Sequence, residues 1–160
     1  MVTPLRNQAA DEQGTDEQAA LRYSAAWTDG AARAADARCA LRAFLAHAPR
    51  NGRTRVPAPL ALDAELTVSE LVTNAIRHAP GPCGMLLQLS GEELTITVWD
   101  TSPEKPTVHR GDRYRIGGHG LHLVHTVSHS VVVASQAAGK RITAHLRLRA
   151  GNRGSLPASR

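Results

Sequence analysis

The sequence predicts an α+β fold, a two-layer α/β sandwich with helices on one face of a mixed, mostly antiparallel sheet. Three observations predict it. Strand signals come in hairpin pairs, Gly84–Leu89 with Leu94–Trp99 and Ser130–Ser135 with Arg141–Leu148. Helical stripes cluster ahead of the first pair. At 160 residues the chain is long enough to bury one core without metal or disulfide staples.

Residues 1–20 carry Asp11, Glu12, Asp16 and Glu17 among Gln, Gly and Ala, and read as a disordered arm. Leu21–Thr28 reads as a first strand with Trp27 buried, and Asp29-Gly30 as a turn. From Ala31 to Ala48 there is no Gly or Pro, and Ala34, Ala37, Leu41, Phe44 and Leu45 form a helical stripe. Arg33, Arg38 and Arg42 fall on its other faces and read as solvent contacts. Pro49–Pro59 is a loop. A central helix follows from about Leu60 to Ala79, stopped by Pro80-Gly81-Pro82. The first hairpin turns at Ser90-Gly91-Glu92-Glu93 and ends at Asp100-Thr101-Ser102-Pro103.

Residues 103–116 have two prolines, four positive charges and no periodicity, the mark of a long functional loop. Gly117-Gly118-His119-Gly120 then opens a helix carrying Leu121, Leu123, Val124 and Val127. The second hairpin is predicted to turn at Ala138-Gly139-Lys140, with Ile142, Ala144, Leu146 and Leu148 on one face of the last strand. Residues 21–149 form the expected domain, and 150–160 a flexible tail.

Net charge is +5, which invites a nucleic-acid reading. The arginines are spread along the chain, and aromatics, at 3%, leave little for base stacking, so no direct nucleic-acid partner is expected. Cys39 and Cys83 lie in no metal-ligand spacing and read as reduced, small apolar residues of a cytoplasmic protein. No apolar run is long enough for a membrane span, and the N-terminus has no signal-peptide core.

The central helix separates two faces. Val68, Leu71, Val72, Ala75, Ile76 and Ala79 make an apolar stripe; Ser69, Glu70, Thr73, Asn74, Arg77 and His78 lie opposite. Glu70 and Asn74 are one turn apart and project together. The Asn oxygen suits a hard cation such as Mg²⁺, and the Glu suits proton acceptance from a hydroxyl or water. By itself this is also the pattern of an amphipathic surface helix. Asp100, at a strand exit, can accept a hydrogen bond from a base amino group. The glycines at 117–120 can bring backbone N–H groups to phosphates at a helix N-terminus. His119, His122, His125 and His129 recur at helical spacing, but no Asp, Glu or Cys joins them, and solvent or partner contacts explain them better than a closed metal site.

Together these segments resemble a known family. Glu70-Leu71-Val72-Thr73-Asn74-Ala75-Ile76-Arg77-His78 is similar to the N-box of GHKL-type, histidine-kinase-like ATPases, in the variant of the anti-sigma-factor serine/threonine kinases. Val98-Trp99-Asp100-Thr101-Ser102 resembles the G1 box, with Ser102 where many relatives carry glycine. Gly118-His119-Gly120-Leu121-His122-Leu123-Val124 resembles the G2 box. The similarity covers residues 22–148.

The resemblance implies ATP and Mg²⁺ as cofactors and a fold in agreement with the coarse reading. It implies Asn74 as the Mg²⁺ ligand and Glu70 as general base. It places Asp100 on the adenine amino group, with Ser102 beside it in the G1 box. Gly118, Gly120 and the Leu121 backbone would cradle the phosphates. Arg77 and His78 would lie near the nucleotide, and Thr143 at the adenine pocket. Residues 103–117 would be the lid. The expectation includes neither a histidine-bearing dimerisation segment nor a second domain, hence neither a sensor histidine kinase nor a gyrase-like machine.

The function implied is a serine/threonine protein kinase. It would phosphorylate an anti-anti-sigma-type partner and so control transcription; a sigma factor could be a further partner. The alternative is a non-catalytic ATP-binding module whose lid is ordered by nucleotide and which needs Asn74 and the glycines but not Glu70. A basic nucleic-acid or metal-binding domain is the third reading. A homodimer through the first strand and helix is what the kinase resemblance suggests, and no membrane contact is expected.

Overall fold

Among the described residues, alternation of apolar and polar residues builds five strands, and 3.6-residue periodicity builds three helices, in the chain order the sequence predicts. In the computed structural model these are β1 (Leu21–Trp27), α1 (Ala34–Ala46), α2 (Ala58–His78), β2 (Cys83–Leu89), β3 (Glu93–Asp100), α3 (His119–Val127), β4 (Ser130–Gln136) and β5 (Gly139–Arg147). The structure describes residues 21–28, 30–48, 55–79, 81–102 and 119–148. The predicted N-terminal arm, the lid, Gly118 and the C-terminal tail lie outside the described residues.

Among the described residues the four strand pairings are antiparallel, in the order β1-β2-β3-β5-β4. The register sorts side chains by face. Leu94, Ile96, Val98 and Asp100 of β3 pair with Leu146, Ala144, Ile142 and Lys140 of β5, all buried on the helix side. Thr95, Thr97 and Trp99 pair with His145, Thr143 and Arg141 on the open side. There Trp99 lies over Gly84, leaving no room for a side chain.

The helices pack on one face. Ala64, Thr67, Val68, Leu71, Val72 and Ala75 of α2 are buried against the sheet, with Ala37, Leu41 and Phe44 of α1 beside them. Each fully buried Leu, Ile or Val contributes roughly 1.5–3 kcal/mol. Most of the predicted stripe is core; Ile76, at 42% exposure, is not.

Three local expectations are corrected. Arg38 and Arg42 join the two helices: Arg38 Nη1 donates to Ser69 Oγ at 3.0 Å, and Arg42 makes a forked pair with Glu65 at 2.7 and 2.9 Å. Cys39 is exposed; only Cys83 is a buried apolar residue. The second hairpin turns at Ala137-Ala138, so Gly139 and Lys140 belong to β5.

Helix ends follow their local chemistry. Pro57 caps α2 in an extended conformation, and proline in the first turn costs no hydrogen bond there. Arg77 and His78 occupy the last turn of α2, where a positive charge suits the dipole. Among the described residues no helix is long and apolar enough to cross a membrane.

Candidate functional site

The polar face of α2 is not a solvated surface. Ser69, Glu70, Thr73 and Asn74 are half-buried, because α1 packs along one flank and α3 along the other. Val124 of α3 is fully buried and Leu121 packs against the core, which fixes the first turn of α3 beside α2. In that turn Gly120 faces Glu70. A Cβ at Gly120 would overlap the Glu70 carboxylate oxygen and stand 3.1 Å from its carboxyl carbon. The acid of the N-box pattern and a glycine of the G2 pattern, 50 positions apart in the chain, thus occupy one place.

Asn74 lies one turn beyond Glu70. Its Nδ2 is buried and has no hydrogen-bond partner among the described residues. Buried orphan polar atoms are rare in folded proteins, so this one marks a place where a further group fits. Its Oδ1 and the Glu70 carboxylate are oxygen donors of the kind a hard cation takes, so the residues present are compatible with Mg²⁺. Arg77 and His78 are exposed, beyond the enclosed part of the helix.

Asp100 closes the helix-facing layer at the end of β3, with 5% exposure. Its Oδ1 accepts the Ser102 backbone N–H at 2.8 Å, and its Oδ2 stands 2.9 Å from Lys140 Nζ. Ser102 is buried and completes this turn. Gly139, with φ +146°, packs against the Asp100 carbonyl oxygen where a Cβ would not fit. Cys83 lies opposite Asp100 on β2. Burial, and then the Asp100 charge, push its thiol pKa upward.

Thr143 falls elsewhere. It lies three residues after Lys140, so alternation turns it to the open face, where its hydroxyl shares a 3.1 Å hydrogen bond with Thr97. The structure therefore does not bring Thr143 to the Asp100 layer. Lys140 is the residue of β5 that reaches it, and sequence reading missed it by placing it in the turn. Extending the alternation back from Ile142 would have found it.

Among the described residues no three His, Cys, Asp or Glu side chains form a group able to hold a metal ion. His122, His125 and His129 are exposed along and just past α3.

A carboxylate–carboxamide helix facing a glycine-led helix, over an antiparallel sheet, defines a two-layer α/β sandwich with its polar site between helices. The family model for the histidine kinase-like ATPase domain matches residues 30–146, and this chain belongs to that family. A comparison with curated proteins gives no match. Among solved structures, the fold is similar to the crystal structure of the RsbU and RsbW domains of Rv1364c from Mycobacterium tuberculosis. The TM-score is 0.55 at 20% identity, covering 79% of this chain and 32% of that chain. The chain thus spans well under half of that protein, and at this identity the likeness is one of fold.

Proposed function

We propose that this chain binds Mg²⁺-ATP between α2 and α3 and transfers the γ-phosphate to a serine or threonine of an anti-anti-sigma-type regulatory protein, so controlling transcription. The observation that carries the reading is the contact of Glu70 with Gly120. It sets a carboxylate beside the helix N-terminal turn that the resemblance assigns to phosphate binding. The partner class rests on the N-box pattern from Glu70 to His78, which is similar to that of the anti-sigma-factor kinases.

In this reading each residue has a stated task. The Gly118, Gly120 and Leu121 backbones offer N–H groups to the phosphates at the start of α3. Asn74 holds Mg²⁺ through its side-chain oxygen, and bound Mg²⁺ supplies neutralisation of phosphate charge. Glu70 accepts the proton of the acceptor hydroxyl. Asp100, oriented by the Ser102 N–H, accepts a hydrogen bond from the adenine amino group. Arg77 extends positive charge past the enclosed part of α2, with His78 beside it.

Calorimetry with Mg²⁺-ATP on the wild type, Asn74→Ala and Glu70→Ala tests the site, followed by phosphotransfer to a purified anti-anti-sigma-type protein. The wild type is expected to bind, Asn74→Ala to lose binding, and Glu70→Ala to bind without transfer. Transfer by Glu70→Ala at the wild-type rate sinks the kinase reading. Binding without transfer by the wild type favours the nucleotide-ordered interaction module. No binding by the wild type at millimolar ATP overturns the pocket itself.

A further inference from the structure

The Asp100–Lys140 pair is the most enclosed ionic contact among the described residues, with side chains 4% and 3% exposed. It is unusual in its cost. A buried ammonium or carboxylate is expensive without its partner, and a buried pair often adds little net stability over an apolar one. Its geometry is nonetheless held from three sides. The Ser102 N–H fixes Oδ1, Lys140 fixes Oδ2, and Gly139 brings the start of β5 against the Asp100 carbonyl. Cys83, the neighbour on β2, is a thiol whose raised pKa keeps it neutral, so it brings no competing charge.

We propose that Lys140 sets base specificity: it holds Asp100 as a fixed, charge-paired acceptor, so the site takes a purine with a 6-amino group and rejects one with a 6-oxo group. This rests on the reading of Asp100 as the contact to the base. An ionised carboxylate accepts only, and with one donor on each oxygen it still has lone pairs for another. A 6-amino group supplies that donor. A 6-oxo group presents a second acceptor and leaves a buried carboxylate facing a carbonyl oxygen, a mismatch that polar sites discriminate strongly. If Lys140 is neutralised, Asp100 loses the ammonium that fixes Oδ2, and its carboxylate is left buried without a counter-charge. The carboxylate then no longer presents one fixed acceptor geometry to the 6-amino group, and discrimination falls. Lys140 is thus a positioning residue acting through Asp100.

The test is the ratio of ITP to ATP dissociation constants with Mg²⁺, measured on full-length wild type, Lys140→Met, Lys140→Gln and Lys140→Arg, with thermal unfolding as the check on folding. ITP changes the 6-position of the base and leaves the ribose and phosphates as they are. The wild type is expected to prefer ATP by at least about tenfold. Lys140→Met is expected to bring the ratio within about threefold of unity, and Lys140→Arg, which keeps the charge, to retain it. Lys140→Gln keeps a hydrogen-bond donor and serves where Lys140→Met does not fold; the same loss is expected. An unchanged ratio in either neutral variant overturns the proposal. So does wild type that binds ATP and ITP equally, which leaves the ATP site standing. Wild type that binds neither nucleotide removes the functional reading on which the proposal stands, and the proposal with it.

Discussion

The carboxylate of Glu70 on α2 lies against Gly120 in the first turn of α3, with no space between them for a methyl group. The two helices approach this closely because position 120 has no side chain.

Gly120→Ala therefore forces Glu70 to swing away. Alanine gains up to about 1 kcal/mol of helix propensity over glycine, and the Glu70 terminus is flexible enough to yield. The melting temperature should change little, whereas Mg²⁺-ATP binding should weaken by at least about tenfold, a loss of roughly 1.4 kcal/mol. Thermal unfolding beside calorimetry checks both. Unchanged binding would mean that the Glu70–Gly120 contact has no part in the site.

Leu71 and Ile76 share the predicted apolar stripe, but only Leu71 is core, at 1% exposure against 42%. Leu71→Ala should cost roughly 2–5 kcal/mol. Ile76→Ala should cost under about 1 kcal/mol, as surface substitutions do. Urea unfolding of the two variants distinguishes them, and equal costs would contradict the packing of α2.

The Arg42–Glu65 fork carries a pH dependence of known sign. The hydrogen bond from Arg42 holds the Glu65 carboxyl below the ordinary glutamate range. The stabilisation is present above the pKa of unfolded Glu65 and is lost as pH falls through the lowered folded value. Wild type should exceed Glu65→Gln slightly at pH 7, and the gap should close in acid. The effect is small because the pair is exposed. Denaturant midpoints at pH 7 and pH 3 measure it; a gap that widens in acid refutes the assignment.

Cys39 is exposed on α1, whereas Cys83 is buried on β2 with its thiol pKa raised by burial. A thiol reagent at pH 8 should modify Cys39 in the native protein and reach Cys83 only after unfolding. Mass spectrometry of the modified peptides decides this. Equal rates would show that the β2 end of the sheet is open.

Thr143 on the open face predicts a separation of stability from binding. Thr143→Val removes its hydrogen bond to Thr97 and should cost roughly 0.5–1.5 kcal/mol. ATP affinity should not change. A loss of affinity measured by calorimetry would return Thr143 to the nucleotide pocket.

Much of this architecture was legible before folding, because it depends on local periodicity. The order of strands and helices, the turn at Ser90–Glu93 and the buried side of α2 follow from spacing that neighbours in the chain share. The pairing of Glu70 with Asn74 is of this kind, since one helical turn sets it. What local patterning could not supply is the company a side chain keeps across long sequence separations. The three-dimensional packing decided that Arg38 and Arg42 reach Ser69 and Glu65, that Glu70 meets Gly120, and that Lys140 pairs with Asp100. Where the last hairpin turns decides whether Lys140 belongs to the turn or to β5, and only as part of β5 does it pair with Asp100. Thr143, next to Ile142, faces the other side of the sheet and meets Thr97, because alternation sends successive residues of a strand to opposite faces.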